Sequence, residues 1–235
     1  MSDEAVYIWR RRRIKNMERK TLKTNGIAKS IGRIRMKKRE RNALVTAFKH
    51  DMLPIGIPCW LDGCRIHICS IKGLTEDMLD QYELPALIIC SSWASRLVKA
   101  LFADDFCAVS FLDLIDANKA GAMQPQHADV ILSFFYTLGS LPKKITDLFI
   151  CGDGGDSRSP AIAATILRLL GKDDRAVWEN PFYTPNILVY YQMCRAFGIT
   201  VSWEDVLKLR QVSDEAYREA QRNNGKTSHR RWEVL

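Results

Sequence analysis

Between Ile145 and Ala164 the sequence reads Ile-Thr-Asp-Leu-Phe-Ile-Cys-Gly-Asp-Gly-Gly-Asp-Ser-Arg-Ser-Pro-Ala-Ile-Ala-Ala, and no other stretch constrains the fold as strongly. The apolar run Asp147–Cys151 has the length and composition of a buried strand. Glycines at 152, 154 and 155 then let the backbone turn sharply with its N–H groups pointing inward. Pro160 suits the first turn of a helix, where its missing N–H removes no bond, and an apolar helix to Leu170 follows. A strand, a tight turn and a helix in that order make a nest of amides at a helix N-terminus, which is a natural anion site. Arg158 adds a guanidinium able to hold two oxygens of one anion in a fork. Asp153 and Asp156 lie in the same loop, so anion entry requires their carboxylates to point outward.

The rest of the chain from about residue 54 alternates short apolar runs with helical patterns. Arg65–Ser70, Ala86–Cys90 and Cys107–Leu112 are predicted strands. Thr75–Tyr82, Pro125–Leu138, Ile187–Phe197 and Trp203–Arg222 are predicted helices, with Asn186 placed to cap the third and Ser202 with Asp205 the fourth. Such alternation predicts an α/β domain with a short, mostly parallel sheet and helices on both faces. Three regions are expected: a basic segment 1–53, the α/β domain 54–222 and a polar tail 223–235.

The loop and its helix resemble the cysteine-based protein tyrosine and dual-specificity phosphatases. The signature of that family is a cysteine, five residues, an arginine and a Ser or Thr, often continuing as Ser159-Pro160-Ala161-Ile162-Ala163 does here. Gly155 matches the family's mid-loop glycine, and Gly171-Lys-Asp-Asp with Asn180-Pro-Phe-Tyr-Thr-Pro-Asn186 is similar to small bacterial or phage-type members. The resemblance is close over residues 146–198 and absent before residue 54. It implies a phosphate-binding loop made by Gly152, Asp153, Gly154, Gly155, Asp156, Ser157, Arg158 and Ser159. It also implies no metal or organic cofactor.

The nucleophile position departs from the family. Six residues before Arg158 stands Gly152, and Cys151 occupies the preceding position. Phosphoryl transfer in this family needs a thiolate attacking phosphorus in line, and glycine offers none. Adjacent strand residues point to opposite faces, so Cys151 is expected to face away from the loop. The leading expectation is a pseudophosphatase that binds a phosphorylated protein or a small phosphoanion. The alternative is an active phosphatase that uses Cys151 in a slipped loop. The resemblance places a general acid on Asp113 or Asp116, 39 and 36 residues before Gly152; ordinary turn aspartates are the competing reading. Ser159 matches the hydroxyl that assists thiolate departure, or else caps the helix.

Charge divides the chain. Residues 1–50 carry 16 Lys and Arg against 4 Asp and Glu, leaving 19 against 23 in the remainder. The basic residues between 10 and 41 raise the possibility of contact with nucleic acid or an anionic surface, set against a simply solvated leader. No run is long and apolar enough for a membrane span or a secretory signal, and a cytoplasmic protein is expected. Seven scattered cysteines fit reduced, buried thiols.

Three further patterns are weaker. Cys90-Ser-Ser-Trp-Ala-Ser-Arg96 repeats the cysteine–arginine spacing without glycine, which makes it a decoy. Cys59, Cys64, His67 and Cys69 lack the paired knuckle spacing of a zinc site. Trp178, Phe182, Tyr183, Tyr190 and Tyr191 either wall a substrate cleft or pack helices on the sheet, the second being the commoner use.

Overall fold

The computed structural model describes residues 61, 63–82, 85–92, 105–139, 145–223 and 232–234 of the 235. The basic segment 1–53, Cys59, Trp93 and Arg96 lie outside the described residues. The elements are β1 (Arg65–Ser70), a 3-10 turn (Ile71–Gly73), α1 (Glu76–Leu79), β2 (Pro85–Cys90), β3 (Asp105–Val109) and α2 (Pro125–Gly139). They continue with β4 (Asp147–Gly152), α3 (Arg158–Leu169), α4 (Arg175–Trp178), α5 (Ile187–Ala196), α6 (Trp203–Asn223) and β5 (Trp232–Val234).

The sheet runs β3-β2-β4-β1-β5. Strands β1 to β4 are all parallel, and β5 pairs antiparallel with β1, opposite His67–Cys69. The α/β class and the parallel sheet are as the alternation of the sequence predicts. The strand at Trp232–Val234 falls within the predicted polar tail, where three residues are too few to give a pattern.

Alternation along each strand divides the core in two. Ile66, Ile68, Ile88, Leu148 and Ile150 face one side, where they pack with residues of α2, α3 and α5. Cys69, Leu87, Ile89, Phe149 and Cys151 face the other, with Leu74 and Leu79. The two faces are therefore unequal. The long helices that pack on the sheet share one side, and among the described residues the second is covered only by the 3-10 turn, α1 and the residues around them. Caps fix the helices: the Val189 amide donates to Asn186 Oδ1 at 3.0 Å, and the Asp205 amide donates to Ser202 Oγ at 3.1 Å.

At the edge of the second face, Asp147 is buried and accepts from Arg65 at 2.9 Å, from Thr146 Oγ1 at 2.8 Å and from His67 Nε2 at 2.7 Å. His67 stacks on Phe149, ring centroids 4.2 Å apart. Burial pushes the Asp147 carboxyl up, but hydrogen bonds from Arg65, His67 and Thr146 outweigh it and hold the group below its usual range. Burial lowers His67 in spite of Asp147. Both groups therefore take up protons more readily in the unfolded chain, so acid favours unfolding. Stability should be full above the ordinary histidine value of 6.5 and fall as pH drops through that range, then further through the carboxylate range. Urea midpoints measured across pH check this, and His67→Gln should flatten the upper part of the curve.

Candidate functional site

The site is built where β4 ends. Gly152 is the last residue of β4 and lies between Ser70 of β1 and Cys90 of β2 in the parallel register. The carboxyl ends of three neighbouring strands therefore converge there, the usual place for a ligand crevice in an open parallel sheet. Strand alternation puts Cys151 and position 152 on opposite faces. Cys151 points into the second core cluster beside Cys69 and Phe149, fully buried. Position 152 points the other way, toward the first turn of α3. A Cβ built on Gly152 would lie 3.2 Å from Ser159 Oγ, 3.6 Å from the Ser159 amide and 3.7 Å from the Gly155 amide.

From Gly152 the chain turns through Asp153–Ser157 and enters α3 at Arg158. Gly155 makes the turn possible: its φ is +82°, and a Cβ there would lie 2.7 Å from the Ser70 amide nitrogen and 2.8 Å from the Cys69 carbonyl carbon. The loop thus presses against the backbone at the end of β1, a contact that only glycine allows. Ser157 precedes the helix but makes no capping bond to it. Among the described residues, the amides of 154–159 have no acceptor in the backbone network. These free donors carry the positive end of the α3 dipole. Ser159 Oγ is fully buried and has no hydrogen-bond partner. An orphan hydroxyl thus faces the place that the missing side chain of Gly152 leaves open.

Arg158 is only 6% exposed, and three groups hold it. Nη1 donates to the Phe111 carbonyl at 2.8 Å, and Nη2 donates to the Asp153 carboxylate. Nε lies 3.9 Å from Asp113 Oδ2. Asp153 also accepts from Ser91 Oγ. Partial burial raises the Asp153 carboxyl, yet the bonds from Ser91 and Arg158 prevail and keep it below its usual range. The condition for anion entry is therefore not met at Asp153, because its carboxylate lies on the guanidinium. The attraction between adjacent opposite charges is ample reason. Asp156 is exposed.

Asp113 is brought to the loop and Asp116 is not. Asp113 Oδ1 accepts from Ser157 Oγ at 2.9 Å and from Asn186 Nδ2 at 2.6 Å. Asp116 accepts from the Asn118 amide at 3.0 Å within its own exposed turn. The segment before α5 straps the loop from outside. Thr184 N donates to the Asp156 carbonyl at 2.8 Å, and Asn186 N donates to the Ser157 carbonyl at 3.1 Å. Ser91, the Phe111 carbonyl and the second role of Asn186 were missed by sequence reasoning. The cap pattern marked Asn186, but nothing local marks Ser91, which reaches Asp153 only because β2 and β4 are neighbours.

Cys151 is not among the residues brought together. Burial holds its thiol well above the ordinary value, and neighbouring Cys69 adds to the effect. Thiolate chemistry needs the opposite environment, exposed and electropositive. Cys90, the first residue of the decoy, is likewise buried, and burial pushes its thiol up to about 12 although Arg158 pulls it down. Among the described residues no cluster of three metal-ligating side chains occurs, and His67 is engaged with Asp147. Trp178 and Tyr190 are fully buried and meet edge to face at 5.1 Å, so these two pack the core rather than wall a cleft. Among the described residues no helix is long and apolar enough to cross a membrane.

Compared with protein-family models, curated proteins and solved structures, the chain has no significant match in any of the three.

Proposed function

We propose that the chain binds a phosphorylated residue or a small phosphoanion in the loop 152–159, and that it has lost hydrolysis by the cysteine route. The observation that carries this reading is the unpartnered Ser159 hydroxyl. It is wholly buried beside Gly152, at the N-terminus of a twelve-residue helix whose first amides lack acceptors. A buried polar group without a partner is costly, by about 1–3 kcal/mol, and an anion with several acceptor oxygens would satisfy it together with the amides. Arg158 supplies the charge, and its anchoring on the Phe111 carbonyl fixes where that charge stands. The resemblance of Arg158-Ser159-Pro160-Ala161 to the tyrosine and dual-specificity phosphatases supports the same choice of ligand. Gly152 removes the nucleophile, and Cys151 does not replace it, because its thiol lies on the opposite face of the sheet.

Calorimetric titration of the purified chain with inorganic phosphate and with vanadate tests the reading. Binding is expected in the wild type, and Arg158→Ala should weaken it by at least about tenfold, the loss of one charge-assisted contact. Hydrolysis of p-nitrophenyl phosphate by the wild type should be absent. Affinity unchanged by Arg158→Ala would sink the proposal. Turnover by the wild type that disappears in Cys151→Ser would replace it with the slipped-loop enzyme.

A further inference from the structure

We propose that Asp153 is an internal competitor for the loop's anion, a carboxylate that occupies Arg158 until a ligand displaces it; this rests on the anion-binding reading above. Arg158 has three engagements of different kinds. The Nη1 bond to the Phe111 carbonyl fixes the guanidinium to the backbone after β3. Asp113 stands at the limit of contact, 3.9 Å from Nε, and is already held by Ser157 and Asn186. Asp153 alone takes Nη2, the one terminal nitrogen not fixed to the backbone, and it belongs to the loop itself. Its side chain is 41% exposed against 6% for Arg158, so it can swing into solvent while the arginine stays.

Electrostatics point the same way. The Asp153 carboxylate lies on the guanidinium, that of Asp113 stands 3.9 Å from its Nε, and Asp156 adds a third negative charge in the loop. An incoming dianion therefore meets a neighbourhood that is already net negative. Its gain on Arg158 is reduced by the contact it must break and by the charge it must approach. Ser91 Oγ donates to the other carboxylate oxygen of Asp153 and holds it in the occupying position. The free amides of 154–159 and the Ser159 hydroxyl remain unused meanwhile, because the Asp153 carboxylate is bound to Arg158 and Ser91 rather than to them. The loop is thus half filled by its own chain: the arginine is satisfied and the amides are not.

Titration of inorganic phosphate into the full chain and into Asp153→Asn tests this, with Asp153→Ala as a second variant should Asn disturb folding. Phosphate is expected to bind the variant at least about tenfold more tightly, the scale of the one charge-assisted contact that the ligand no longer has to break. The ratio should persist at about 0.5 M salt, where repulsion acting at a distance is screened but direct competition for one nitrogen is not. A ratio that collapses in salt would assign the effect to general charge and overturn the competitor. So would affinity that is unchanged or weakened in both variants while the wild type still binds, an outcome that leaves the anion site itself intact. Phosphate binding absent from the wild type and from both variants would remove the anion site and the competitor together. Binding seen only in the variants would support the competitor and overturn the reading that the wild-type chain binds the anion.

Discussion

Gly152→Cys is expected to hydrolyse p-nitrophenyl phosphate at a rate at least about a hundredfold above the wild-type chain, with inhibition by vanadate. The expectation follows from where the side chain would stand. Its Cβ would be directed toward α3, with the amides of Ser159 and Gly155 at 3.6 and 3.7 Å and Ser159 Oγ at 3.2 Å. The last distance is tight, but a hydroxyl can shift by a few tenths of an ångström where a backbone atom cannot. A thiol at that place sits at a helix N-terminus near a buried arginine, the setting that lowers thiol pKa and stabilises the thiolate. Asp113 supplies a carboxyl at the loop's rim, held by Ser157 and Asn186. Two readouts separate the causes of a negative result. Alkylation by iodoacetamide across pH reports whether the new thiol titrates below about 7, as a helix-terminal thiol should. A thiol that titrates near its ordinary value, together with no turnover, would mean that the loop does not stabilise anions. Arg158→Ala in the Gly152→Cys background should remove the activity.

Gly155→Ala should destabilise the fold by about 3 kcal/mol or more, measured as the shift in urea midpoint at constant slope. Two costs add. A non-glycine residue at φ +82° is strained by about 1–2 kcal/mol. The added methyl would also stand 2.7–2.9 Å from the Ser70 nitrogen and the Cys69 carbonyl, backbone atoms of a strand paired on both sides. Gly171→Ala serves as the control, since Gly171 has φ +67° but nothing within 4 Å of the Cβ position. It should lose only the strain. Equal losses at the two positions would contradict the close approach of the loop to β1.

Sequence reading reached what is local and missed what is brought together from afar. Strand β4, its glycine turn and α3 are contiguous, so their order along the chain is legible from local residue types. The Asn186 cap was legible for the same reason, because its partner Val189 lies three residues away. The strand expected to end at Leu112 ends at Val109. Leu112 instead donates its amide to the Gly121 carbonyl at 2.6 Å, closing a turn that an apolar run does not announce. The helix expected over Thr75–Tyr82 shrinks to Glu76–Leu79, since a run this short has too few turns to show its period. At the site, glycine at 152 and arginine at 158 were readable, but the direction of the Asp153 carboxylate was not. That direction depends on Ser91, 62 positions away, and no periodicity encodes it.

The loop is braced from three remote parts of the chain: the end of β1 against Gly155, the Phe111–Asp113 segment on Arg158 and Ser157, and Thr184 and Asn186 on the carbonyls behind it. It is therefore not a portable motif. Grafted onto another scaffold, or cut out as a peptide of strand, turn and helix, it would keep its letters and lose its shape. Conversely, a ligand seated there clasps segments from Ser70 to Asn186 at once, so its binding would act as a rivet and raise the melting temperature of the whole domain, by an amount that keeps growing with the logarithm of ligand concentration.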